Sequence, residues 1–331
     1  MNASTWASII NLTICFAIPL MLVALGGMYS ERSGVINLAL EGIMIIGALA
    51  ACLVLRAMDQ AGWGESRPQL GVLLAILVSG IAGVLFSLLL AFAAINLKAD
   101  QTIGGTALNI FAPAFSVVVA WAIQGQGLTD IQIPTWTRLT PEALGLPGQV
   151  NQDFLPTLFK KFYLTMPVAL VLFLIAWIVL YYTRFGLRLR ACGEHPQAAD
   201  SVGINVYKMR YAGVMISGFL GGVGGLAYVL VAGSSFSATV GGYGFLALAV
   251  MIFGNWRPWQ IFGCALFFAL FKVAGTFYTL IPILPSFSGV DKVSNIYNLL
   301  PYLVTMIVLI FTSKKSRAPK AEGIPYDKGQ R

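Results

Sequence analysis

Apolar residues in this chain occur in long blocks that polar connections separate, and not at the alternating spacing of strands. Runs of about 20 apolar residues, the length of helix that crosses a bilayer, recur along the 331 residues. The predicted spans lie near residues 8–28, 34–55, 70–96, 102–123, 163–183, 211–232, 241–254, 258–281 and 296–312. The seventh run is short for a full crossing, which predicts a broken or re-entrant helix. The pattern therefore predicts an all-α polytopic membrane protein with about nine to ten transmembrane helices, some short or broken.

The connections divide the chain into a membrane domain, residues 1–312, and a tail, residues 313–331. Residues 124–162 contain several prolines and no sustained periodicity, so we expect an irregular external loop. Residues 184–210 are basic but carry helix signals, and we expect them to be an ordered cytoplasmic segment. The tail is polar and rich in Pro, Gly and Lys, which predicts a disordered cytoplasmic tail.

Composition supports the membrane assignment. Hydrophobic residues make up 58% of the chain and charged residues only 10%, which excludes a water-soluble domain. The net charge of +8 comes from basic residues spread over short connections, so it indicates membrane topology and not nucleic-acid binding. The positive-inside rule then predicts an external N-terminus and a cytoplasmic C-terminus.

The sequence offers little for catalysis. The four cysteines, at positions 15, 52, 192 and 264, have neither disulfide-framework nor zinc spacing. The chain has one histidine and no nucleophile elbow, and no G-x-x-x-x-G-K-[ST] phosphate loop occurs in it. We therefore expect a protein that is not an enzyme, with no cofactor or metal of its own.

Two polar residues stand at the start of the second apolar run. Asn37 and Glu41 are spaced i, i+4, which would place them on one helical face. A charged side chain at membrane depth is costly and normally faces protein or a water-filled path. Glu41 is therefore either a substrate-pathway residue or a structural anchor for a neighbouring helix terminus, and the sequence leaves both open.

Further pathway candidates lie in the fourth and seventh runs. Thr102, Thr106 and Asn109 form a polar row at helical spacing, which either lines a pathway or makes interhelical hydrogen bonds. Tyr243 and Phe245 could form aromatic walls for a ring-shaped substrate, or could simply pack. The glycine-rich stretch "ISGFLGGVGGLA" predicts close helix crossings, either within the chain or between two subunits.

A short surface helix is predicted inside residues 184–210. His195 is placed as its cap, Pro196 suits the first helical position and Gly203 suits its end. The helix is either an interfacial linker or a docking element for a cytosolic partner.

The segment "RACGEHPQAADSVGIN" resembles the coupling segment of permease subunits in bacterial ABC importers of the branched-chain amino acid and ribose class. "GVINLALEGIMIIGA", "TIGGTALNIFAPAF" and "GYGFLALAVMIFGNWRP" resemble further motifs of its nucleoside and simple-sugar branch. The resemblance implies a type II ABC importer-like permease in the bacterial inner membrane. It also implies that a set of residues would insert into an ATPase subunit: Glu194, His195, Pro196, Gln197, Ala198, Ala199, Asp200 and Gly203.

The implied partners are cytosolic ATPase subunits that hold ATP and Mg²⁺, a second permease chain, identical or different, and a periplasmic or lipid-anchored solute-binding protein. The implied function is import of a nucleoside or simple sugar, although the sequence does not identify the solute. The alternative is a secondary transporter driven by an ion gradient, with Glu41 as its ion site.

Overall fold

The structure is a computed structural model that describes residues 3–141, 153–233, 235–276 and 318–328, with isolated positions 145, 150, 299, 303, 306 and 307. Its helices are α1 (Ala3–Arg32), α2 (Leu40–Gln60), α3 (Trp63–Ser66), α4 (Pro68–Ala91), α5 (Gln101–Gln124), α6 (Phe154–Leu158), α7 (Thr165–Tyr182), α8 (Arg184–Glu194), α9 (Pro196–Ser201), α10 (Val206–Ala232), α11 (Tyr243–Phe253) and α12 (Pro258–Thr276). Its strands are β1 (Ile131–Gln132), β2 (Arg138–Leu139), β3 (Phe162–Tyr163) and β4 (Ser235–Phe236).

Within the described residues, seven helices are long and apolar enough to cross a membrane: α1, α2, α4 with the π-helical turn Phe92–Asn96, α5, α7, α10 and α12. The short α11 has 11 residues, as the short seventh run predicts. The polytopic helical fold is therefore confirmed, whereas the count of nine to ten helices is not. The ninth predicted span, residues 296–312, lies outside the continuously described residues.

One predicted boundary is wrong. The second span was expected to begin near residue 34, but α2 begins at Leu40. Gly34 has a φ of +96°, and the chain makes a turn after α1 before the helix starts. Such a backbone conformation suits glycine and interrupts a helix, so the apolar pattern alone could not show the break.

The centre of the molecule is a close crossing of α10 with α2 and α4. A Cβ atom on Gly222 would lie 2.1 Å from the carbonyl oxygen of Ser79, and one on Gly225 would lie 2.0 Å from that of Met44. A Cβ on Gly47 would lie 2.4 Å from the Cα of Gly222. The glycine-rich stretch therefore joins helices within the chain, which answers the question that the sequence left open.

The expected irregular external loop contains paired strands. β1 pairs antiparallel with β4, and β2 pairs antiparallel with β3. Each strand has only two residues, so a periodicity of two cannot be seen in the sequence. The pairing partner of β1 also lies about a hundred residues away, after α10.

Residues 318–328 of the expected mobile tail pack against the end of the bundle. The amide of Ala321 donates to the carbonyl oxygen of Gly193 at 2.9 Å, and Arg210 Nη1 donates to that of Ile324 at 2.9 Å. Tyr326 is only 4% exposed, and its ring centroid lies 5.3 Å from that of Tyr207. This order differs from the prediction because one buried aromatic ring and long-range hydrogen bonds outweigh a polar composition.

Candidate functional site

The predicted surface helix is present as α9. It follows α8, whose first turn is capped by Thr183 Oγ1 accepting from the amide of Gly186 at 3.2 Å. Pro196 occupies the first position of α9, as predicted, and Gly203 follows the helix with a φ of +83°. His195 lies at the N-cap position, as predicted, although its side chain makes no capping hydrogen bond.

The helix α9 has a packed face and an open face. Pro196 and Ala199 are buried, and Ala199 lies in an apolar cluster with Cys192, Val206 and Tyr326. The open face and its flanks consist of exposed residues: His195, Gln197, Ala198, Ser201, Val202 and Gly203. Glu194 and Asp200 are partly exposed. The segment is thus a short projecting helix whose open face carries His195, Gln197 and Val202 beside small residues, a shape suited to insertion into a partner groove.

The packed face is held by the tail. Burial of Tyr326, together with the nearby Asp200 carboxylate, raises the pKa of its phenol to about 12, so this ring is neutral at physiological pH. Burial likewise raises the pKa of the Cys192 thiol to about 11. Apolar contacts, together with the hydrogen bond between Tyr326 and the Asp200 carboxylate, therefore fix the base of α9.

Asn37 and Glu41 do not share a helical face, because Asn37 precedes the first residue of α2. The Asn37 side-chain amide donates to Ser217 Oγ at 2.8 Å, and its oxygen accepts from the amide of Ala39 at 3.1 Å. Asn37 is fully buried. It ties the turn before α2 to α10.

The Glu41 carboxylate binds the amino terminus of α11. Oε1 accepts from the amide of Gly242 at 2.9 Å, and Oε2 accepts from that of Gly244 at 2.6 Å. Glu41 is only 8% exposed. Amides at a helix start are unsatisfied within the helix and carry partial positive charge, so a carboxylate there is stabilised. This geometry is that of a structural anchor, and contact with a solute stays a prediction.

The polar row on α5 is divided between packing and exposure. Asn109 Nδ2 donates to the carbonyl oxygen of Leu38 at 2.6 Å, and its Oδ1 accepts from the amide of Gly42 at 2.8 Å. Thr102 and Thr106 are exposed, although Thr106 Oγ1 donates to the Thr102 carbonyl oxygen at 2.8 Å. Asn109 thus joins α5 to α2, and the two threonines lie on an open face.

The two aromatic candidates also separate. Tyr243 is 1% exposed, and its ring centroid lies 4.3 Å from that of Tyr228 and 6.3 Å from that of Phe16. Phe245 is 53% exposed. Tyr243 is therefore a packing residue in this chain, whereas Phe245 remains accessible to a solute, to lipid or to a second subunit.

The sequence did not indicate a cleft beside the short strands β2 and β3. A cavity of about 550 Å³ is lined by Trp136, Arg138, Lys161 and Tyr163 among other residues. The pairing of β2 with β3 places the Arg138 guanidinium 6.0 Å from the centroid of the Tyr163 ring. Burial, with some repulsion from Arg138, lowers the pKa of Lys161. Only the strand pairing brings these residues together, so no sequence signal could have found them.

Comparison with known proteins covers nearly the whole chain. The family model described as branched-chain amino acid transport system / permease component matches residues 9–312. The guanosine ABC transporter permease protein NupQ of Bacillus subtilis is 42% identical over 326 residues, which cover 98% of this chain and 97% of NupQ.

Two proteins of Lactococcus lactis are also similar. The nucleoside ABC transporter permease protein NupC is 40% identical over 321 residues, 96% of each chain. The nucleoside ABC transporter permease protein NupB of the same strain is 22% identical over 324 residues, 95% of this chain and 84% of NupB. The family model matches residues 9–312, a range of 304 positions, and seven of the described helices are long and apolar enough to cross a membrane. The chain therefore belongs to the permease family of the branched-chain amino acid transport systems.

Proposed function

We propose that this chain is the permease subunit of an ATP-driven importer that moves nucleosides into the cell. The observation that carries the proposal is the nearly full-length similarity to NupQ and NupC, which are named as guanosine and nucleoside permeases. Because the similarity extends over all the membrane helices, it concerns the whole translocation unit and not one motif. ATP is bound and hydrolysed on separate subunits, since this chain has no phosphate loop.

Coupling to ATP hydrolysis would use the open face of α9. A movement of the ATPase subunits would press on this short helix, which the apolar cluster around Ala199 joins to α8 and α10. Since α10 packs against α1, α2 and α4 in the centre of the molecule, a displacement of α9 would move α10 and thereby the core helices. We assign coupling to residues 194–200 and 203, with the exposed Gln197 and Ala198 as contact residues.

The second permease is proposed to be a different chain. Lactococcus lactis has two proteins named as nucleoside ABC transporter permeases, and this chain is 40% identical to one and 22% identical to the other. Such a pair fits a heterodimer of two diverged permeases. We assign the exposed sides of α5 to the pathway and the subunit contact, with Thr102 and Thr106 on one side and Phe111 (50% exposed) on another.

The proposed orientation places α8, α9 and the tail in the cytoplasm of the bacterial cell, and the strand region outside. A periplasmic or lipid-anchored binding protein would deliver the solute to that outer side. A secondary transporter driven by ions is not favoured, because both oxygens of Glu41 already accept hydrogen bonds from the backbone of α11.

Reconstitution tests this function. The chain is placed in proteoliposomes alone, or with its ATPase subunits, second permease and binding protein, and uptake of radiolabelled guanosine, uridine and glucose is measured. We expect nucleoside uptake only from the complete set of subunits and only when ATP is supplied on the side of the membrane that carries the ATPase subunits. Glucose should not be taken up. Uptake by the chain alone under an ion gradient would refute the proposal.

The same assay tests the coupling residues. Ala198→Arg adds a large charged side chain to the exposed face of α9. It should lower the amount of nucleoside imported per ATP hydrolysed by at least about tenfold, while membrane insertion stays normal. Ala198→Ser, which adds one atom at the same position, should transport normally. Ala199 is unsuitable for this test because it is 4% exposed and a large residue there would disturb the packing. Full transport by Ala198→Arg would exclude the coupling role.

A further inference from the structure

A basic cleft lies at the end of the bundle where α1 and α7 end and α12 begins. It has a volume of about 510 Å³ and is lined mainly by Arg32, Arg190, Arg257, Lys320, Glu194 and Tyr181. Four of these side chains are cations and one is a carboxylate. The cleft is thus built by α1, α7, α8, the residue before α12 and the tail, parts of the chain that are mostly far apart in sequence.

The lining of the basic cleft has four cations and one carboxylate, and the Glu322 carboxyl group near Arg32 adds a second acidic group. Glu194 Oε1 lies 3.8 Å from Arg32 Nη1, and the Glu194 side chain is 41% exposed, so this ion pair is loose. Arg32 Nη2 donates to the carbonyl oxygen of Trp256 at 3.0 Å. The Nε atoms of Arg32 and Arg190 are buried and have no hydrogen-bond partner among the described residues. Buried donors of this kind are normally satisfied, so these two Nε–H groups are donors that a bound anion would satisfy.

An aromatic cleft of about 460 Å³ adjoins the basic cleft and shares Tyr181 and Arg257 with it. Its other aromatic residues are Trp177, Tyr182 and Trp259, of which Tyr182 is 71% and Trp259 53% exposed. The ring centroids of Trp177 and Trp259 lie 5.7 Å apart. Exposed Trp and Tyr at helix ends are typical of the level of the lipid headgroups.

Beyond the aromatic cleft, the outer surfaces of α7 and α12 are apolar. Leu174 is 44% exposed, Ile178 47% and Leu270 46%. A ligand that fills both clefts therefore needs an anionic group at one end and long apolar chains at the other. A phosphate diester with acyl chains has this form, whereas a partner carboxylate or a free phosphate would fill only the basic cleft.

We infer that the two clefts together bind an anionic phospholipid, with its phosphate among Arg32, Arg190 and Arg257 and its acyl chains along α7 and α12. Basic pockets between helices at the membrane surface recognise such headgroups. The lipid would join the ends of α1, α7 and α12 to the tail through Lys320. Glu194 at the end of α8 lines the basic cleft and also belongs to the proposed coupling segment, whereas no residue of α9 itself lines either cleft. The lipid site does not depend on which solute is transported.

Binding of phosphatidylglycerol and phosphatidylcholine to the full chain in detergent, alone and assembled with its ATPase subunits, tests the inference by native mass spectrometry. We expect retention of phosphatidylglycerol and a tighter apparent Kd for it than for phosphatidylcholine. The double variant Arg190→Gln with Arg257→Gln should bind phosphatidylglycerol about 25-fold more weakly, about fivefold for each arginine. Arg188→Gln, on α8 but outside the cleft lining, should bind it as the unchanged chain does.

Three results would overturn the inference. One is an equal loss in Arg188→Gln, which would indicate nonspecific charge. Another is displacement of the lipid by inorganic phosphate or glycerophosphoglycerol at the same concentration, which would indicate a site for soluble anions. The third is loss of the lipid on assembly with the ATPase, which would make the cleft a subunit contact. Arg257 is exposed, so Arg257→Gln alone gives a folded variant if the double variant fails to fold.

Discussion

Buried polar side chains in this protein mainly bind the backbone of neighbouring helices. Glu41 holds two amides of α11, Asn109 holds an amide and a carbonyl group near the start of α2, and Asn37 binds Ser217 on α10. Broken helices leave unsatisfied backbone groups that lipid cannot hydrogen-bond, so side chains must supply the partners. At this scale, polar residues at membrane depth define where helices start.

Replacing Glu41 by Gln tests this anchoring role. The amide group has one acceptor oxygen, so one of the two α11 amides would face an N–H donor, which should cost about 1 to 3 kcal/mol. We expect a lower melting temperature in detergent, with uptake reduced only in proportion to the amount of folded protein.

The matched control is Glu31→Gln. Glu31 is also buried, but its Oε2 accepts from Trp256 Nε1 at 2.5 Å, a hydrogen bond that a Gln carbonyl can keep. It should therefore destabilise the protein less. A loss of uptake in Glu41→Gln without loss of folded protein would instead make Glu41 a pathway residue.

Among the elements, the packing of α10 depends on residues without side chains. Backbone of α10 lies against α2 and α4 so closely that Cβ atoms at several glycines would overlap carbonyl oxygens. Close approach of this kind increases dispersion contacts between helices in lipid, where the hydrophobic effect does not drive their association. In the proposed coupling, the same crossing would transmit movement from α9 to the core, because α9 leads into α10.

Gly222→Ala tests the crossing. Its Cβ would lie 2.1 Å from the Ser79 oxygen, so the helices must separate, at a cost of about 1 to 3 kcal/mol or more. We expect reduced folded yield and a lower melting temperature. Gly263→Ala on α12, where a Cβ meets nothing within 4 Å, should be neutral or slightly stabilising. Equal effects of the two changes would show that helix propensity, and not the crossing, determines the outcome.

For the whole molecule, the tail joins parts that are distant in the sequence. Residues 318–328 contact α8, α10 and the turn after α1, and Lys98 Nζ binds Asp327 at 2.8 Å. Burial raises the pKa of Glu322 above its ordinary value of 4.5, although a hydrogen bond with Glu31 and the nearby Arg32 guanidinium act in the opposite direction. The folded state therefore binds this proton more tightly than the unfolded state does.

The tail should consequently loosen as the pH rises. The stabilising contribution is present below pH 4.5 and is lost as the pH rises through the raised pKa of Glu322. Hydrogen–deuterium exchange of residues 318–328 should be similar in the unchanged chain and in Glu322→Gln near pH 5. At pH 8 the unchanged chain should exchange faster, by about tenfold for each unit of pKa increase.

Comparing the two proteins at each pH removes the intrinsic pH dependence of exchange. Asp327→Asn, which removes the exposed ion pair with Lys98, should accelerate exchange about equally at both pH values. A tail whose protection relative to Glu322→Gln does not change with pH would contradict the prediction.

The sequence by itself determined the membrane class, most helix positions and the family resemblance, because long apolar runs and a short motif are local properties of the chain. It also predicted α9, from Pro196 and Gly203. The tertiary structure decided the rest: that Glu41 anchors α11, that the glycines of α10 cross α2 and α4 within one chain, and that residues 318–328 are ordered. These features depend on contacts between residues far apart in sequence. Such contacts do not produce a local pattern of apolar and polar residues in either segment, so the sequence alone does not reveal them.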